Sequence, residues 1–515
     1  MNVATPGVSL RWLLDGIAAP PAVDARVADL TLDSRDARAG SLFFALCGRR
    51  SHGLEFAADA AARGASVVLW DPPGEPDEDL VRSAAALAAG SSVFVARVAG
   101  LKALVGRIAD RFFGWPSSHM RIVGITGTNG KTTCAYLLAS CLARLKSEAA
   151  YIGTVGWGRI GSLQVSTGGR DAHTTPDVVS VHRQLSILRA QGVRDVAMEV
   201  SSHALDQGRI DGVRFHSAAF TNLTRDHLDY HPSMKAYGEA KARLFASTGL
   251  QHIVVNVGDG FGRELAGTLG GRVPLTAVWM GAGGSGWLAD RKLHAGNIAL
   301  DLHGLAMTVD GSFGSCKVTT KLMGRFNAEN AVVVLACLVG LNLPLADACM
   351  ALSECTAPPG RMEVIESPSP AKPMAVIDYA HTPDALAKAL HALREHCRGA
   401  LWCVFGCGGD RDPGKRPLMG AVADELADRI IVTDDNPRSE NPRSITLGIT
   451  AGISSHAARV INDRSEAIAT ALNEAAAGDM VLIAGKGHED YQIYGDLRRS
   501  FSDRTEALRH LGAAA

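Results

Sequence analysis

The chain has little of what would mark a disulfide scaffold, a membrane protein or a polyanion binder. Its ten cysteines, at 47, 134, 141, 316, 337, 349, 355, 397, 403 and 407, show no metal-ligand pairing, and the nearest approach to one is Cys403-x₃-Cys407. They read as reduced, mostly buried thiols of a cytosolic protein. A formal net charge of −1 over 515 residues gives no large electrostatic footprint, which argues against nucleic acid or anionic lipid as partners. The longest apolar run, 331–341, is well short of the roughly 20 residues a membrane span needs, and predicts a buried helix. Residues 1–6 lack the basic region and apolar core of a signal peptide, so the expected location is the cytoplasm, with no membrane partner. Internal repeats are absent, and the glycine-rich stretch 280–287 reads as a surface turn.

What is present is an α/β rhythm long enough for about three domains, since single cores stop growing near ~250–300 residues. The first segment, 1–118, alternates short strands such as 66–70 with alanine-rich helical stretches and ends at a linker-like Trp115-Pro116-Ser117-Ser118. The second, 119–357, holds strands at 195–200, 218–223 and 252–257, each bounded by a polar loop. Pro358-Pro359-Gly360 punctuates the next boundary. In the third, 358–515, strands at 375–379, 401–405, 429–433 and 480–484 each lead into a polar loop containing glycine or aspartate. Ligands of open α/β sheets bind at the carboxyl ends of the strands, so these loops are the expected sites.

The most informative stretch is Gly124-Ile125-Thr126-Gly127-Thr128-Asn129-Gly130-Lys131-Thr132-Thr133, between an apolar strand and a helix-forming run. Glycines let backbone N–H groups approach a polyphosphate, the helix N-terminus adds its positive end, Lys131 supplies a cation, and the Thr132 hydroxyl can hold Mg²⁺. ATP is the implied ligand. The spacing departs from the strict P-loop, with five residues between Gly124 and Gly130 instead of four.

Further loops carry chemistry that the residues alone leave open. Glu199 ends a strand where its carboxylate can face the cation, or it is simply a capping residue before Ser201-Ser202-His203. The cluster Thr224-Arg225-Asp226-His227-Leu228-Asp229-Tyr230-His231 is a ligand loop or an ordinary charged surface loop. Lys241 sits on an amphipathic helix, where most lysines are solvated.

Taken in order, Gly-Thr-Asn-Gly-Lys-Thr-Thr, Met-Glu-Val-Ser-Ser-His, Asp-His-Leu-Asp-Tyr-His and Ala-Lys-x-x-Leu-Phe resemble the motif series of the Mur ligases. The likeness continues through residues 324–330, 359–363, 378–383, 406–412 and 484–489, and so covers nearly the whole chain. It implies an α/β chain of three domains: an N-terminal UDP-binding domain, a central P-loop ATPase domain and a C-terminal Rossmann-like domain. The implied reaction is ATP-dependent: a D-glutamate carboxylate of UDP-N-acetylmuramoyl-L-Ala-D-Glu is phosphorylated, and the amine of meso-diaminopimelate attacks the acyl phosphate. The implied cofactors are ATP and Mg²⁺, and the expected form is a monomer.

The resemblance also distributes roles. Lys131, Thr132, Glu199 and His227 would serve the phosphates and two Mg²⁺ ions, and Lys241 would become a carbamate, an anionic oxygen ligand in place of an ammonium. Asn327 and Asn330 match positions near adenine, although asparagine is also a favoured helix cap. Arg361 and His381 match positions that bring the third domain onto ATP. The uridine end would meet Leu32, Ser34, His52, Gly53 and Leu54, and the muramoyl dipeptide would meet Thr174, Thr175, Ser201, Gln207 and Arg209. His173 departs from the family pattern and receives no role. Diaminopimelate would be read by Asp435-Asn436-Pro437-Arg438, with Arg411 and Arg438 on its distal carboxylate, where a planar guanidinium binds bidentately. Gly485 and Glu489 would complete that pocket. The alternatives are a folylpolyglutamate synthetase, the D-alanyl-D-alanine-adding Mur ligase, or an ATP-binding switch without ligase activity.

Overall fold

The computed structural model describes residues 7–48, 51–72, 78–90, 92–164, 173–281, 289–454 and 458–513. The signal-peptide reading of residues 1–6 and most of the glycine-rich turn at 280–287 lie outside the described residues.

Among the described residues, short apolar runs alternating with helices build three large sheets, beside two two-stranded ribbons, Val8–Ser9 with Arg26–Val27 and Tyr491–Tyr494 with Leu497–Ser500. In the first, strands Asp29–Thr31, Ser41–Ala45, Ala65–Trp70 and Phe94–Arg97 lie parallel in chain order. Every residue of Ser41–Ala45 is buried, as expected of a parallel strand covered on both faces. Its apolar cluster, with Leu42, Phe44 and Val105, also takes in Val178 and Val179 of the middle segment, so the two segments share a core. Arg183 reinforces that junction: Nη1 pairs with Asp29 at 2.7 Å and Nη2 donates to the Leu30 carbonyl at 2.7 Å.

The linker-like Trp115-Pro116-Ser117-Ser118 is firmer than its composition suggests. Pro116 presets the first turn of a short 3₁₀ helix, Pro116–His119, and the buried Ser117 hydroxyl accepts from the Arg214 N–H at 3.1 Å.

The second sheet has ten strands. Its parallel centre runs Arg291–Asp301, Leu275–Met280, His252–Asn256, Ser217–Phe220, Arg121–Thr126, Asp195–Glu199 and Ala149–Gly153, with antiparallel additions at both ends. The P-loop strand Arg121–Thr126 therefore lies between Ser217–Phe220 and Asp195–Glu199, and the loops following all three open on one edge. The strand expected over 218–223 stops at Phe220 because Thr221 and Asn222 leave the sheet to bind the P-loop backbone. The apolar run 331–341 falls mostly in helix Arg325–Gly340, and from Ala331 to Val339 every residue of it is buried.

The third sheet runs Glu363–Ile365, Met374–Asp378, Met480–Ala484, Leu401–Phe405, Arg429–Val432, Arg459–Val460, all parallel except the first pair. A buried ion pair props the carboxyl ends of these strands. Arg464 and Asp503, both fully buried, meet through two 2.7 Å contacts, and Arg464 Nη2 also donates to the Ala484 carbonyl at 2.9 Å. His396 joins this unit to the middle one: its Nε2 accepts from the Gly324 N–H at 2.7 Å while Nδ1 donates to the Asp301 carbonyl at 2.5 Å.

Candidate active site

Glycine is required twice in the phosphate loop. Gly127 (φ 153°) and Gly130 (φ 82°) take backbone angles costly for other residues, and a Cβ on either would strike the Thr221 hydroxyl or the Asn330 amide oxygen. The loop is held from the neighbouring strand end. Asn129 N–H donates to Asn222 Oδ1 at 2.9 Å, Thr128 N–H donates to the Asn222 carbonyl at 2.8 Å, and Thr221 Oγ1 donates to the Asn129 carbonyl at 2.6 Å. Lys131 opens helix Lys131–Arg144 and folds over the loop, its Nζ donating to the carbonyls of Gly127 and Thr128 at 3.0 and 2.8 Å. Burial lowers its pKa, partly offset by the charge of Glu199. Thr133 follows in the same first turn.

Glu199 ends its strand fully buried and is no capping residue, since Ser201 caps the helix that follows. Its carboxylate accepts from Thr132 Oγ1 at 2.8 Å, Thr154 N–H at 2.8 Å, Thr154 Oγ1 at 3.2 Å and the Tyr151 hydroxyl. Thr132 and Glu199 thus meet at the mouth of the phosphate loop, one hydroxyl and one carboxylate, both hard oxygen donors suited to Mg²⁺. Among the described residues no group of three His, Cys, Asp or Glu side chains is preassembled for a metal. Such a site fits an ion that keeps waters and takes its remaining ligands from the nucleotide phosphates.

Lys241 is far from solvated. It is 1% exposed on helix Met234–Ala242, its Nζ donates to the Gly127 carbonyl at 2.7 Å, and it lies 4.2 Å from the centre of the Tyr237 ring. Lys131 and Lys241 therefore share one carbonyl oxygen. Burial first, and then the charge of Lys131, lower the Lys241 pKa from 10.5 to about 6. That direction favours the uncharged amine.

His227 sits in the left-handed region (φ 52°), a strained setting found at functional sites, with its ring edge-on to His203 at 4.8 Å. Burial and the neighbouring His227 and His231 lower the His203 pKa to about 4.

The residues expected to hold the dipeptide form one network against the back of Glu199. Thr175 Oγ1 donates to the Glu199 carbonyl at 2.9 Å and accepts from Ser201 N–H at 3.1 Å. Arg209 Nη1 donates to the Thr175 carbonyl at 3.0 Å and Nε to Gln207 Oε1 at 3.0 Å. Thr174 lies beside them, half-buried. In the first segment, Leu32 and Ser34 follow strand Asp29–Thr31, while His52, Gly53 and Leu54 follow its hydrogen-bonded neighbour Ser41–Ala45, so both turns stand at adjacent strand ends. His52 caps its turn through Nδ1, which accepts from Leu54 N–H at 3.1 Å, and Nε2 donates to the Asp71 carbonyl at 2.7 Å.

Asn327 and Asn330 do not cap their helix, whose cap is Gly324. Both are buried: Asn327 Nδ2 donates to the Met323 carbonyl at 2.8 Å, and its Oδ1 accepts from Asn330 Nδ2 at 2.8 Å. The Asn330 amide oxygen occupies the space a Cβ on Gly130 would need.

From the third unit, Arg361 faces the phosphate loop closely enough for its charge to lower the pKa of Lys131. Its guanidinium lies over Tyr379 at 4.8 Å, and its Nε is buried without a hydrogen-bond partner. His381 is exposed and donates through Nδ1 to the Tyr379 carbonyl at 2.7 Å.

The loops expected to read the amino acid converge at the strand ends. Arg438 (φ 52°) donates through Nη1 to the Gly409 carbonyl at 2.6 Å, tying its loop to the one bearing the exposed Arg411. Gly485 takes a positive φ of 115° that favours glycine and lies against Asp435, whose Oδ2 would stand 3.4 Å from a Cβ there, an ordinary contact. Lys486 is fully buried, with its Nζ 3.3 Å from Asp435 Oδ1, 3.3 Å from Asn436 Oδ1 and 3.2 Å from Glu489 Oε2. Asn436 Nδ2 closes the ring by donating to Glu489 Oε2 at 3.0 Å, and Pro437 turns the chain between Asn436 and Arg438.

Sequence reasoning assigned no role to Tyr151, Thr154, Thr221, Asn222 or Lys486. Only Lys486 lay inside a motif already singled out, and its flanking glycines were the available signal.

Comparison with known proteins gives this arrangement its class. Three family models match along the chain: "Mur ligase family, catalytic domain" at residues 26–111, "Mur ligase middle domain" at 125–338, and "Mur ligase, glutamate ligase domain" at 360–487. The chain belongs to the Mur ligase family. Among its relatives, the UDP-N-acetylmuramoyl-L-alanyl-D-glutamate–2,6-diaminopimelate ligase of Alkalilimnicola ehrlichii is 46% identical over 497 residues, covering 95% of each chain. The ligase of the same name from Pseudomonas aeruginosa is 44% identical over 491 residues, covering 95% of this chain and 96% of its own. A solved structure carrying that ligase name superposes with a TM-score of 0.68 at 32% identity, over 98% of this chain and 99% of the other. MurF from Acinetobacter baumannii, at 17% identity and a TM-score of 0.61 over 99% and 100% of the two chains, shares the fold.

Proposed function

We propose that the chain is an ATP-dependent ligase of peptidoglycan synthesis that joins 2,6-diaminopimelate to UDP-N-acetylmuramoyl-L-alanyl-D-glutamate. The observation that carries this reading is the Asp435–Asn436–Lys486–Glu489 ring beside Arg438, set at strand ends of the third unit whose Arg361 faces the phosphate loop. Diaminopimelate carries an ammonium and a carboxylate at each end. The ring supplies carboxylates for ammonium, and Arg411 and Arg438 supply guanidinium for carboxylate.

In this reading a carboxylate oxygen of the D-glutamyl residue attacks the terminal phosphorus of ATP and ADP leaves. The amine nitrogen then attacks the acyl carbon, and phosphate leaves as the amide forms. Backbone N–H groups at Gly130–Thr133, which open the helix, and the Lys131 ammonium hold the phosphates, while those of Thr128 and Asn129 stay with Asn222. Thr132 and Glu199 would hold Mg²⁺, with His227 and carbamylated Lys241 at a second ion, and when bound such ions would supply positive charge against the phosphoryl oxygens. Lys241 fits that part as a buried uncharged amine, the form that adds CO₂. Thr174, Thr175, Ser201, Gln207 and Arg209 orient the dipeptide, while Leu32, Ser34 and the His52–Leu54 turn receive uridine. Asn327 and Asn330 act on the nucleotide through Gly130, and Arg361 and His381 shield the acyl phosphate from water.

The test is to incubate purified protein with ATP, Mg²⁺, the muramoyl dipeptide nucleotide and either diaminopimelate or lysine, and weigh the product. A mass increase equal to diaminopimelate less one water, with stoichiometric phosphate, is expected. ATP hydrolysis indifferent to the amine would indicate a switch. Reaction only with a folate acceptor, or with D-alanyl-D-alanine, would move the chain to another branch of the fold.

A further inference from the structure

The two oxygens of Glu199 are held in different ways. Oε2 accepts from the hydroxyls of Thr132, at 2.8 Å, and Thr154, at 3.2 Å. A threonine hydroxyl rotates about its C–O bond, so both protons can turn aside, and the Thr132 oxygen can itself become a ligand. Oε1 accepts from the Thr154 backbone N–H at 2.8 Å and from the Tyr151 hydroxyl. Neither of these donors can turn away. The N–H is fixed by the chain, and the phenol oxygen is already occupied by the Val155 N–H at 3.3 Å, which aims its own proton at Glu199. Tyr151 is fully buried, edge-on to Tyr136 at 5.9 Å, and a Cβ on Gly153 would run into both its hydroxyl and Glu199, so no other donor has space to enter.

An ionised carboxylate oxygen offers about two lone-pair directions, and both on Oε1 are filled. The geometry points to Tyr151 as a metal-selectivity residue: by closing Oε1 it limits Glu199 to one-oxygen ligation through Oε2. Mg²⁺ is content with that, since it demands compact octahedral geometry and takes single carboxylate oxygens, phosphates and water. Ca²⁺ prefers more oxygens and readily takes a carboxylate through both. The inference rests on reading Thr132 and Glu199 as the cation-holding pair.

The test is equilibrium binding of a non-hydrolysable ATP analogue, measured calorimetrically with Mg²⁺, with Ca²⁺ and with chelator, on the wild-type chain and on Tyr151→Phe. Phenylalanine keeps the ring packing and removes only the hydroxyl, and a thermal melt checks that the variant is folded. The ratio of analogue affinity in Mg²⁺ to that in Ca²⁺ should fall about tenfold in the variant, because Oε1 regains a free lone pair. The comparator is Thr154→Val, which removes a donor from Oε2 and leaves Oε1 closed; its ratio should not fall. A metal-dependent wild type with an unchanged ratio in Tyr151→Phe overturns the selectivity role, as does an equal fall in both variants. Wild-type binding indifferent to metal overturns the cation-site reading itself, and the inference with it.

Discussion

Lys241 should take up carbon dioxide at neutral pH far faster than a lysine exposed to water. Carbamate formation needs the free amine: the nitrogen lone pair attacks the carbon of CO₂, an N–C bond forms and a proton is released. With its pKa lowered to about 6 by burial and by Lys131, the side chain is about nine-tenths uncharged at pH 7. A lysine at the ordinary 10.5 is uncharged about once in 3,000, so the reactive fraction differs by roughly 3,000-fold. The sign follows from the depressed value. The amine is protonated and inert below about pH 6, and free above it. The initial rate of ¹³CO₂ uptake, read by carbon NMR at constant CO₂ pressure, should climb through pH 5–6 and level off above pH 7. Lys241→Arg should abolish that signal and most ligation. A rate still rising tenfold per unit between pH 7 and 9 would mean an ordinary, solvated lysine and would refute the reasoning.

Other outcomes are expected in the third unit. Arg438→Ala should strand the distal carboxylate of diaminopimelate at a cost of about 2–4 kcal/mol, or roughly 30- to 1,000-fold in kcat/KM; lysine, lacking that group, should lose little, and an equal fall for both would make Arg438 a loop-shaping residue. Lys486→Met leaves the Asp435 and Glu489 carboxylates facing each other without their ammonium, so the melting temperature should drop and diaminopimelate binding by calorimetry should vanish; unaltered binding would exclude the ring from the site. Asp503→Asn leaves the Arg464 charge buried without its partner, and urea unfolding should show a loss of about 3–5 kcal/mol, the usual cost of breaking a buried pair. A loss under about 1 kcal/mol would place Arg464 in contact with water.

The parts legible in the sequence were those with a strict local rule. The phosphate loop needs glycine, lysine and threonine in one order, and parallel strands covered on both faces must be continuous apolar runs, so Arg121–Thr126 and Met480–Ala484 stood out. The contacts between distant loops had no such mark. Tyr151 lies 48 residues before Glu199, and Asn222 lies 93 residues after Asn129. Nothing in a tyrosine among alanine, isoleucine and glycine announces a carboxylate partner; the sheet order creates the contact by pairing Ala149–Gly153 with Asp195–Glu199. Lys241 was legible only through its motif, because amphipathic spacing alone gives the opposite environment.

If the third-unit ring holds the amino acid as proposed, the shared ammonium of Lys486 constrains how amino-acid choice can drift over generations. Asp435, Asn436 and Glu489 all lean on the same nitrogen, from two loops about 50 residues apart. A lineage that replaces one carboxylate by an apolar side chain leaves the buried lysine short of a hydrogen-bond acceptor, and one that loses the lysine leaves two anions in apposition. Single steps away from this pocket therefore pass through a poorly folded intermediate. A new acceptor amine is reached more readily by altering Arg411 or Arg438 at the rim, where a change leaves the ring intact.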